Sequence, residues 1–577
     1  MSLNSIADKV LETDVLVVGG GTAGCPLAAK AAEAGLKVMI AEKSKTERSG
    51  NVGHGVDAYG IFAHGISVVD AVNQWAKKEM QGCNGPGHWV NSSLDYVLFK
   101  RGFWALEELE RMGLPMRWHD GKHYWIPHLL RGPGIKAGLR VNWQNVKPQM
   151  AKMVKQRGVK VLDRTMVVDL LTNDGKVVGA TAVNTRTGEF MVIKAKAIAL
   201  AAGMFCRCFE PETPTPWKYK MRYHYCPASI SGDGFALGYR AGAKLVNMDI
   251  NGWGFRIRDD NTISFGNFPN NDGSPAKIVN WKGGSVPWKS FHDVRGYNQA
   301  ERDGTAPIYY SLNHLPDDYQ KRLELNYNDE WLLALKIAQD RKFNPRTHWW
   351  ESGLNKPLQF MMPQGVATDE HFQSTVRGLY AVGDNAAGVG GAYGACISGL
   401  VVGEEVGAYI DGASGFEIDE AQVARQKQIA MQSTTVAAGD GTEPLDVECA
   451  IRWLCERYAS NFKSEGMLRE GLRRFNSLKG EFLNKMEGTN PHHQMRALEV
   501  RNIMDMAELH LYAALNRKET RGNFVRGDYP ESDPEWQNKV SFQRIDNGVP
   551  VIEVGELPRI KQEFLDQELL DAQEVKN

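Results

Sequence analysis

The stretch that most constrains this chain lies near its start. Val15-Leu16-Val17-Val18 is an apolar run, Gly19-Gly20-Gly21-Thr22-Ala23-Gly24 follows at once, and Glu42 closes the next apolar run, Lys37 to Ala41. The first run reads as a buried parallel strand. The glycines permit a tight turn and let backbone approach a pyrophosphate. Cys25 to Ala34 reads as a helix whose N-terminus faces that negative charge. An acid about 20 residues beyond the glycines can accept both hydroxyls of an adenosine ribose. The spacing predicts a dinucleotide site on Gly19, Gly21, Thr22, Ala23, Gly24 and Glu42. The plain alternative is an ordinary strand–turn–helix unit with Glu42 as a solvated strand end.

That unit does not separate NAD from FAD; two later segments do. Gly378-Leu379-Tyr380-Ala381-Val382-Gly383-Asp384 is an apolar strand ending in Gly-Asp. A glycine-rich run, Ala386 to Ala395, follows, and Ile397-Ser398-Gly399-Leu400 opens an apolar helix through Val406. Such a unit brings Asp384 to a ribityl chain and a helix N-terminus toward a flavin pyrimidine, whose reduced form is negatively charged. Ala197 to Ala202 and Gly203 form a third apolar strand ending in small residues, a further place for close backbone approach. Together these segments favour FAD.

Composition sets bounds on the rest. A chain of 577 residues exceeds one core, so two or three domains are expected. A net charge of −1 gives no reason to expect nucleic acid as a partner. No run approaches the ~20 apolar residues of a transmembrane helix. The N-terminal stretch to Asp14 carries scattered charge and no apolar signal core. None of the eight cysteines forms C-x-x-C, which argues against an iron–sulfur cluster or structural zinc in this chain. Cys206 and Cys208 read as partly buried thiols beside Gly203. The expectation is a reduced, cytoplasmic protein without a metal.

Along the chain, residues 1–251 mix strands and helices, with Val159 to Val192 reading as a β-meander broken at Asn173-Asp174-Gly175 and Thr187-Gly188. Residues 252–358 are rich in Trp, Asn, Asp, Gly and Pro and read as an inserted cap. Residues 359–440 return to strand and glycine motifs. Residues 441–577 carry apolar residues at helical spacing over Val447–Tyr458, Met467–Met486 and Met495–Leu515, then two short extended runs and an acidic helix. The predicted fold is α/β: a Rossmann-like FAD-binding domain in two parts, an inserted α+β capping domain and a C-terminal helical domain.

These motifs carry a resemblance. Gly19 to Gly24, Glu42-Lys43, Arg48-Ser49-Gly50, Ser231-Gly232-Asp233-Gly234 and Gly378 to Leu400 are similar to the fumarate reductase/succinate dehydrogenase flavoprotein superfamily. Glu47 to Gly50 with Val52 and Gly55, Phe255-Arg256-Ile257-Arg258-Asp259, and the tail Asn516 to Arg521 with Asp528 to Glu531 most resemble dissimilatory adenylylsulfate reductase alpha subunits. The resemblance extends the FAD-binding set to Lys43, Ser49, Gly50, Asn51, Gly55, Val167, Ala201, Ala202, Asp233, Gly383, Ser398 and Leu400. It implies noncovalent FAD, because Gly50 follows Arg48-Ser49 where covalent members place a histidine.

The resemblance also implies chemistry. Fumarate-reducing members carry a histidine and an arginine where this chain holds Phe360 and Gly394. The active-site arginine of the adenylylsulfate group maps onto Arg256, whose charged fork suits a small anion. Tyr225 falls where that group places an aromatic residue; its asparagine maps to Gly60, and its histidine has no counterpart near Gln364. Asp57 and Tyr59 after the flavin loop, and Tyr393 in the second one, complete the catalytic candidates. His292, Arg295 and His348-Trp349-Trp350 lie in the cap. A small ferredoxin-like iron–sulfur subunit is the implied electron partner. The Arg517-Lys518-x-x-Arg521 and Arg526 cluster reads first as structural, paired with Glu519, Asp528 and Glu531.

The expected activity is an FAD-dependent oxidoreductase exchanging electrons or hydride at flavin N5 with a small, anionic substrate. A fumarate/succinate-type reductase and an electron-transfer flavoprotein subunit without its own substrate remain the alternatives.

Overall fold

A computed structural model describes residues 2–56, 58–60, 62–63, 66–79, 91–127, 135–209, 227–250, 277–284, 299–300, 302–311, 313, 342, 347, 349–351, 363–413, 417–522, 524–546 and 548–574. Its centre is a seven-stranded sheet. The strands are β1 (Lys9–Val18), β2 (Val38–Glu42), β3 (Lys160–Asp163), β4 (Thr165–Asn173), β5 (Lys176–Asn184), β6 (Phe190–Leu200) and β7 (Leu379–Ala381). Their order is β3-β2-β1-β6-β5-β4, with β7 beside β6. β1 pairs in parallel with β2 and β6, β2 with β3, and β6 with β7. The carboxyl ends of these strands therefore share one edge, where doubly wound sheets bind ligands.

The meander is shorter than the sequence suggests. Lys160–Asp163 is a parallel strand against β2, and only β4, β5 and β6 run antiparallel. The break is Arg164, at φ 60°, whose N–H donates to Ser44 O at 2.9 Å. The β4–β5 turn uses Asp174 and Gly175 at positive φ, as their sequence predicts.

Helix α1 (Gly24–Glu33) and helix α4 (Gly391–Asp411) cover the sheet together, with α2 (Val146–Gln156) and α3 (Asp233–Arg240) beside them. α4 begins well before Ile397, where the sequence places its start, and takes in part of the glycine-rich run. Burial explains this: a Cβ on Gly403 would sit 2.6 Å from Leu27 O and 2.8 Å from Lys30 Cβ. The small residues let α4 lie directly on α1, and that packing outweighs their poor helix propensity.

The C-terminal region is helical as expected, with α5 (Pro444–Tyr458), α6 (Glu465–Phe482) and α7 (Pro491–Asn516) packed on one another and α7 against α3. It also contributes strands. Val540–Asp546 and Val549–Gly555 form a hairpin that joins Leu245–Val246 and Gly365–Val366 in a four-stranded sheet. In the cap, Lys277–Asn280, Ile308–Ser311 and Trp350–Glu351 form an antiparallel sheet. Gly403→Val is expected to lower stability by about 2 kcal/mol or more through overpacking. A urea midpoint equal to that of the unchanged protein would show that the α1–α4 contact is looser than described.

Candidate functional site

The glycine loop leaves β1 at Gly19, whose φ of +106° is open to glycine. A Cβ there would lie 2.5 Å from Ala201 O, so the loop presses directly on the end of β6. Gly19 N–H donates to Ala41 O at 2.9 Å. Glu42 holds the next amide: its Oε2 accepts Gly20 N–H at 2.8 Å and its Oε1 accepts Ser44 N–H at 2.7 Å. The opposite side of the loop is open. A Cβ on Gly21 would meet only Ala201 O, at 3.9 Å, and one on Gly50, at φ +78°, only Gly21 Cα at 3.5 Å. The N–H groups of Gly21, Thr22 and Ala23 donate to no acceptor among the described residues, although Thr22 and Ala23 are buried.

The second loop meets the first. A Cβ on Gly383 would lie 3.1 Å from Ala23 Cβ, and Cys396 Sγ donates to Thr22 O at 3.6 Å. Asn385, fully buried, fastens the third segment: its Oδ1 accepts Ala202 N–H and its Nδ2 donates to Gly203 O, both at 2.7 Å. Ser398 Oγ accepts Gly383 N–H at 2.9 Å and donates to Gly394 O at 2.7 Å. Asp384 Oδ1 is buried without a hydrogen-bond partner, and burial pushes its pKa up to about 7.

Beneath the loops runs a buried charge network. Lys43 Nζ lies 2.6 Å from Asp233 Oδ2 and 2.7 Å from Glu499 Oε1, and donates to Ser231 Oγ at 2.8 Å. Arg207 bridges Glu499 at 2.7 Å and Glu448 at 2.5 Å. Arg452 pairs with Glu448 as well, and Arg496 reaches both acids. Burial disfavours the Glu499 carboxylate, but Arg207, Lys43 and Arg496 outweigh it and hold its pKa at about 2.

Residues 14–400, more than half of the 577, match the family model described as FAD binding domain. The chain belongs to that family. Residues 451–565 match the model described as fumarate reductase flavoprotein C-term. An uncharacterized FAD-dependent oxidoreductase of Methanocaldococcus jannaschii is 24% identical, over 93% of this chain and 99% of its own. One subunit of the fumarate reductase (CoM/CoB) of Methanothermobacter marburgensis is 23% identical, over 93% and 98%. The solved adenylylsulfate reductase of Archaeoglobus fulgidus shares the fold, with a TM-score of 0.79, 21% identity and 96% of each chain covered. The protein is an FAD-dependent oxidoreductase of the FAD binding domain family, with a C-terminal region that matches fumarate reductase flavoproteins.

The site suits this noncovalent FAD. Free amides at the N-terminus of α1 match a diphosphate. Glu42 keeps lone pairs for ribose hydroxyls, and the orphaned Asp384 carboxyl matches a polyol. Gly19 to Gly24, Glu42, Ser49, Gly50, Ala201 to Gly203, Gly383 and Asp384 are brought together around the two loops. Asn51 Nδ2 reaches Met204 Sδ at 3.7 Å while its Oδ1 is buried without a partner. Gly55 lies at φ +104°. Lys43 and Asp233 instead face each other, and Val167 and Leu400 are buried in β4 and α4 within the apolar core. Ser398 acts on Gly383 rather than on open space.

Of the catalytic candidates, Tyr59 and Tyr393 are placed. The Tyr59 hydroxyl is fully buried beside Cys396, and burial followed by that thiol raises its pKa well above the usual tyrosine value. Asp57, Tyr225 and Arg256 lie outside the described residues, as do Phe360, His292, Arg295 and His348. The tail arginines are structural, as read from sequence: Arg517 pairs with Asp249 and Glu519, Arg521 with Glu519, and Arg526 with Asp528. Asn385 and Lys147 were not anticipated; an amide beside Gly-Asp in a run of small residues was the only signal for the first. Among the described residues no helix is long and apolar enough to cross a membrane, and no group of His, Cys, Asp and Glu could hold a metal ion.

Asp384 generates a pH prediction. Its pKa is about 7 when folded and about 3.9 when unfolded. The folded apoprotein therefore binds the extra proton, and this group's contribution to stability is lost as pH rises from about 4 to 7. Asp384→Asn is expected to stabilise the apoprotein at pH 8 and to change little at pH 4. Urea midpoints that shift equally at both pH values would contradict the assignment.

Proposed function

We propose that this oxidoreductase exchanges an electron pair between FAD and a small anionic substrate, on a scaffold similar to that of the adenylylsulfate reductase alpha chain. A ferredoxin-like iron–sulfur partner protein carries electrons to or from it. When bound, FAD supplies two-electron chemistry at its N5 atom. The observation that carries the reading is the meeting of the two loops, Gly383 against Ala23, with the unpaired Asp384 carboxyl beside them.

The chain's own residues supply binding and exclusion of water. Arg256 is the anion-binding residue in this reading, and Tyr225 and Asp57 are the further candidates that the sequence offers. The segment that leads to Arg256 departs from an anchored point: Asp249, fully buried, accepts from Arg517 and Ser541, and Ile250 O accepts from the buried Gln364 amide. Tyr59 lies beside Cys396 of α4, and Tyr393, on the first turn of α4, packs against Gly391. The buried Tyr59 keeps its proton at neutral pH and is available as a hydrogen-bond donor, not as a base. We read 1–251 and 359–440 as the two parts of the FAD domain, 252–358 as the cap and 441–577 as the C-terminal domain.

A fumarate-reducing reading draws on the similarity to the Methanothermobacter marburgensis fumarate reductase (CoM/CoB). Gly394 weighs against it. A Cβ there would meet Val389 Cγ1 at 3.2 Å, so the position that carries a cation in fumarate-reducing members holds no cation here and is crowded by an apolar side chain. A dicarboxylate without matched cations is penalised by several kcal/mol on burial.

Anaerobic titration of the purified protein decides among these. Small sulfur oxyanions or their nucleotide esters are expected to change the flavin spectrum without a partner protein. Fumarate or succinate doing so instead would establish the second reading, and a flavin that responds only to reduced ferredoxin would make the chain a carrier. Arg256→Lys is expected to retain FAD and lose turnover by roughly a hundredfold, because a point charge does not replace a planar fork.

A further inference from the structure

Lys147 is a buried cation with no acid. It lies on α2, 2% exposed. Its Nζ donates to Gly20 O, in the middle of the glycine loop. No carboxylate oxygen among the described residues comes within 4.0 Å of it, whereas among the described residues the buried Arg207, Arg452, Arg517 and Arg526 each have one. Glu42 belongs to the same loop, but its oxygens accept from the amides of Gly20 and Ser44 and make no ion pair with Lys147 within 4.0 Å. Burying an ammonium without a counter-charge costs several kcal/mol, so a fold keeps one where something else repays it.

The peptide that Lys147 touches shows what that is. The Gly20–Gly21 bond is trans, so its carbonyl and its N–H point in opposite directions. Lys147, Cys25 Sγ at 3.2 Å and Ser49 Oγ at 3.5 Å all donate to the Gly20 oxygen. That fixes the oxygen inward and turns the Gly21 N–H outward, to the face where Gly21 and Gly50 leave open space. The N–H of Gly21 has no acceptor among the described residues, and neither have those of Thr22 and Ala23. A cation on the carbonyl also polarises the peptide and strengthens its N–H as a donor to an anion.

We propose that Lys147 is a positioning residue for the FAD diphosphate: it pins and polarises the Gly20–Gly21 peptide so that its N–H meets the phosphates, and their charge is the counterpart to its own. The inference rests on the FAD reading above. It goes further in assigning a role to a lysine that does not itself touch the cofactor.

The test uses the full chain, freed of flavin and reloaded, as the unchanged protein and as Lys147→Met and Lys147→Gln. Methionine keeps the length of the side chain and removes the charge; glutamine keeps an N–H donor without charge. The dissociation constant for FAD is expected to rise at least about tenfold with methionine, and less with glutamine. ADP, which carries the same diphosphate, is expected to lose affinity in parallel, and riboflavin, which carries none, to be unaffected. The melting temperature of the apo variant is expected to stay level or rise, while the increase produced by FAD shrinks. A structural strut would do the reverse: a lower apo melting temperature with the FAD increment intact, or apo variants that do not fold. Either result overturns the proposal, and so does equal FAD affinity in all three proteins or an equal loss for riboflavin. An unchanged protein that fails to bind FAD would overturn the functional reading itself, a result distinct from these.

Discussion

Everything at the site depends on the pairing of β1 with β6. The two strands run in parallel register from Lys9 with Met191 to Val18 with Leu200. Because they end together, Gly19 emerges against Ala201 with no room for a side chain. β2 ends at Glu42 on one side and β7 ends at Ala381 on the other, at the same edge. A shift of register by one residue would turn each apolar side chain to the wrong face and separate the loops. The hydrophobic core therefore does more than stabilise the chain: it sets the distance between the glycine loop and the Gly383 loop.

The buried ions join this edge to the C-terminal helices. Lys43 follows Glu42, Arg207 follows the end of β6, and their acids Glu448 and Glu499 come from α5 and α7. Such pairs add little net stability over apolar packing, but removal of one partner strands a buried charge at a cost of about 3–5 kcal/mol. Their effect is specificity. The helices have one way to dock in which every charge is met, and that way fixes Ser231 and Asp233 under the site.

Much of this was legible in the sequence, and the boundary has a physical cause. The glycine loop, Glu42 and the Gly-Asp strand end were readable because local backbone geometry dictates their residues. Helices α5, α6 and α7 were readable because their apolar faces repeat. The start of α4 was not: its glycines read as loop locally and act as helix packing only where α1 lies against them. Lys43 and Asp233 were read from the sequence as FAD-binding residues, but they pair with each other, and that partnership depends on Glu499 and Asn502, which sequence does not place beside them. Lys147 carries no local motif that sets it apart in the sequence. Its burial is a property of the assembled fold.

Two opposite charges at this site share one logic. Asp384 is an acid that burial deprives of partners, and Lys147 is a cation that burial deprives of an acid. Each disfavours the empty fold, and they sit at different parts of the cofactor's path, one at the second loop and one behind the first. In the reading proposed above, a dinucleotide with hydroxyls at one end of its linker and phosphates at the other answers both. Binding that relieves strain in the folded state adds to stability as the ligand concentration exceeds its dissociation constant. A site built this way couples cofactor loading to completion of the fold. It also discriminates: a nucleotide without the polyol, or a flavin without the diphosphate, relieves only one of the two.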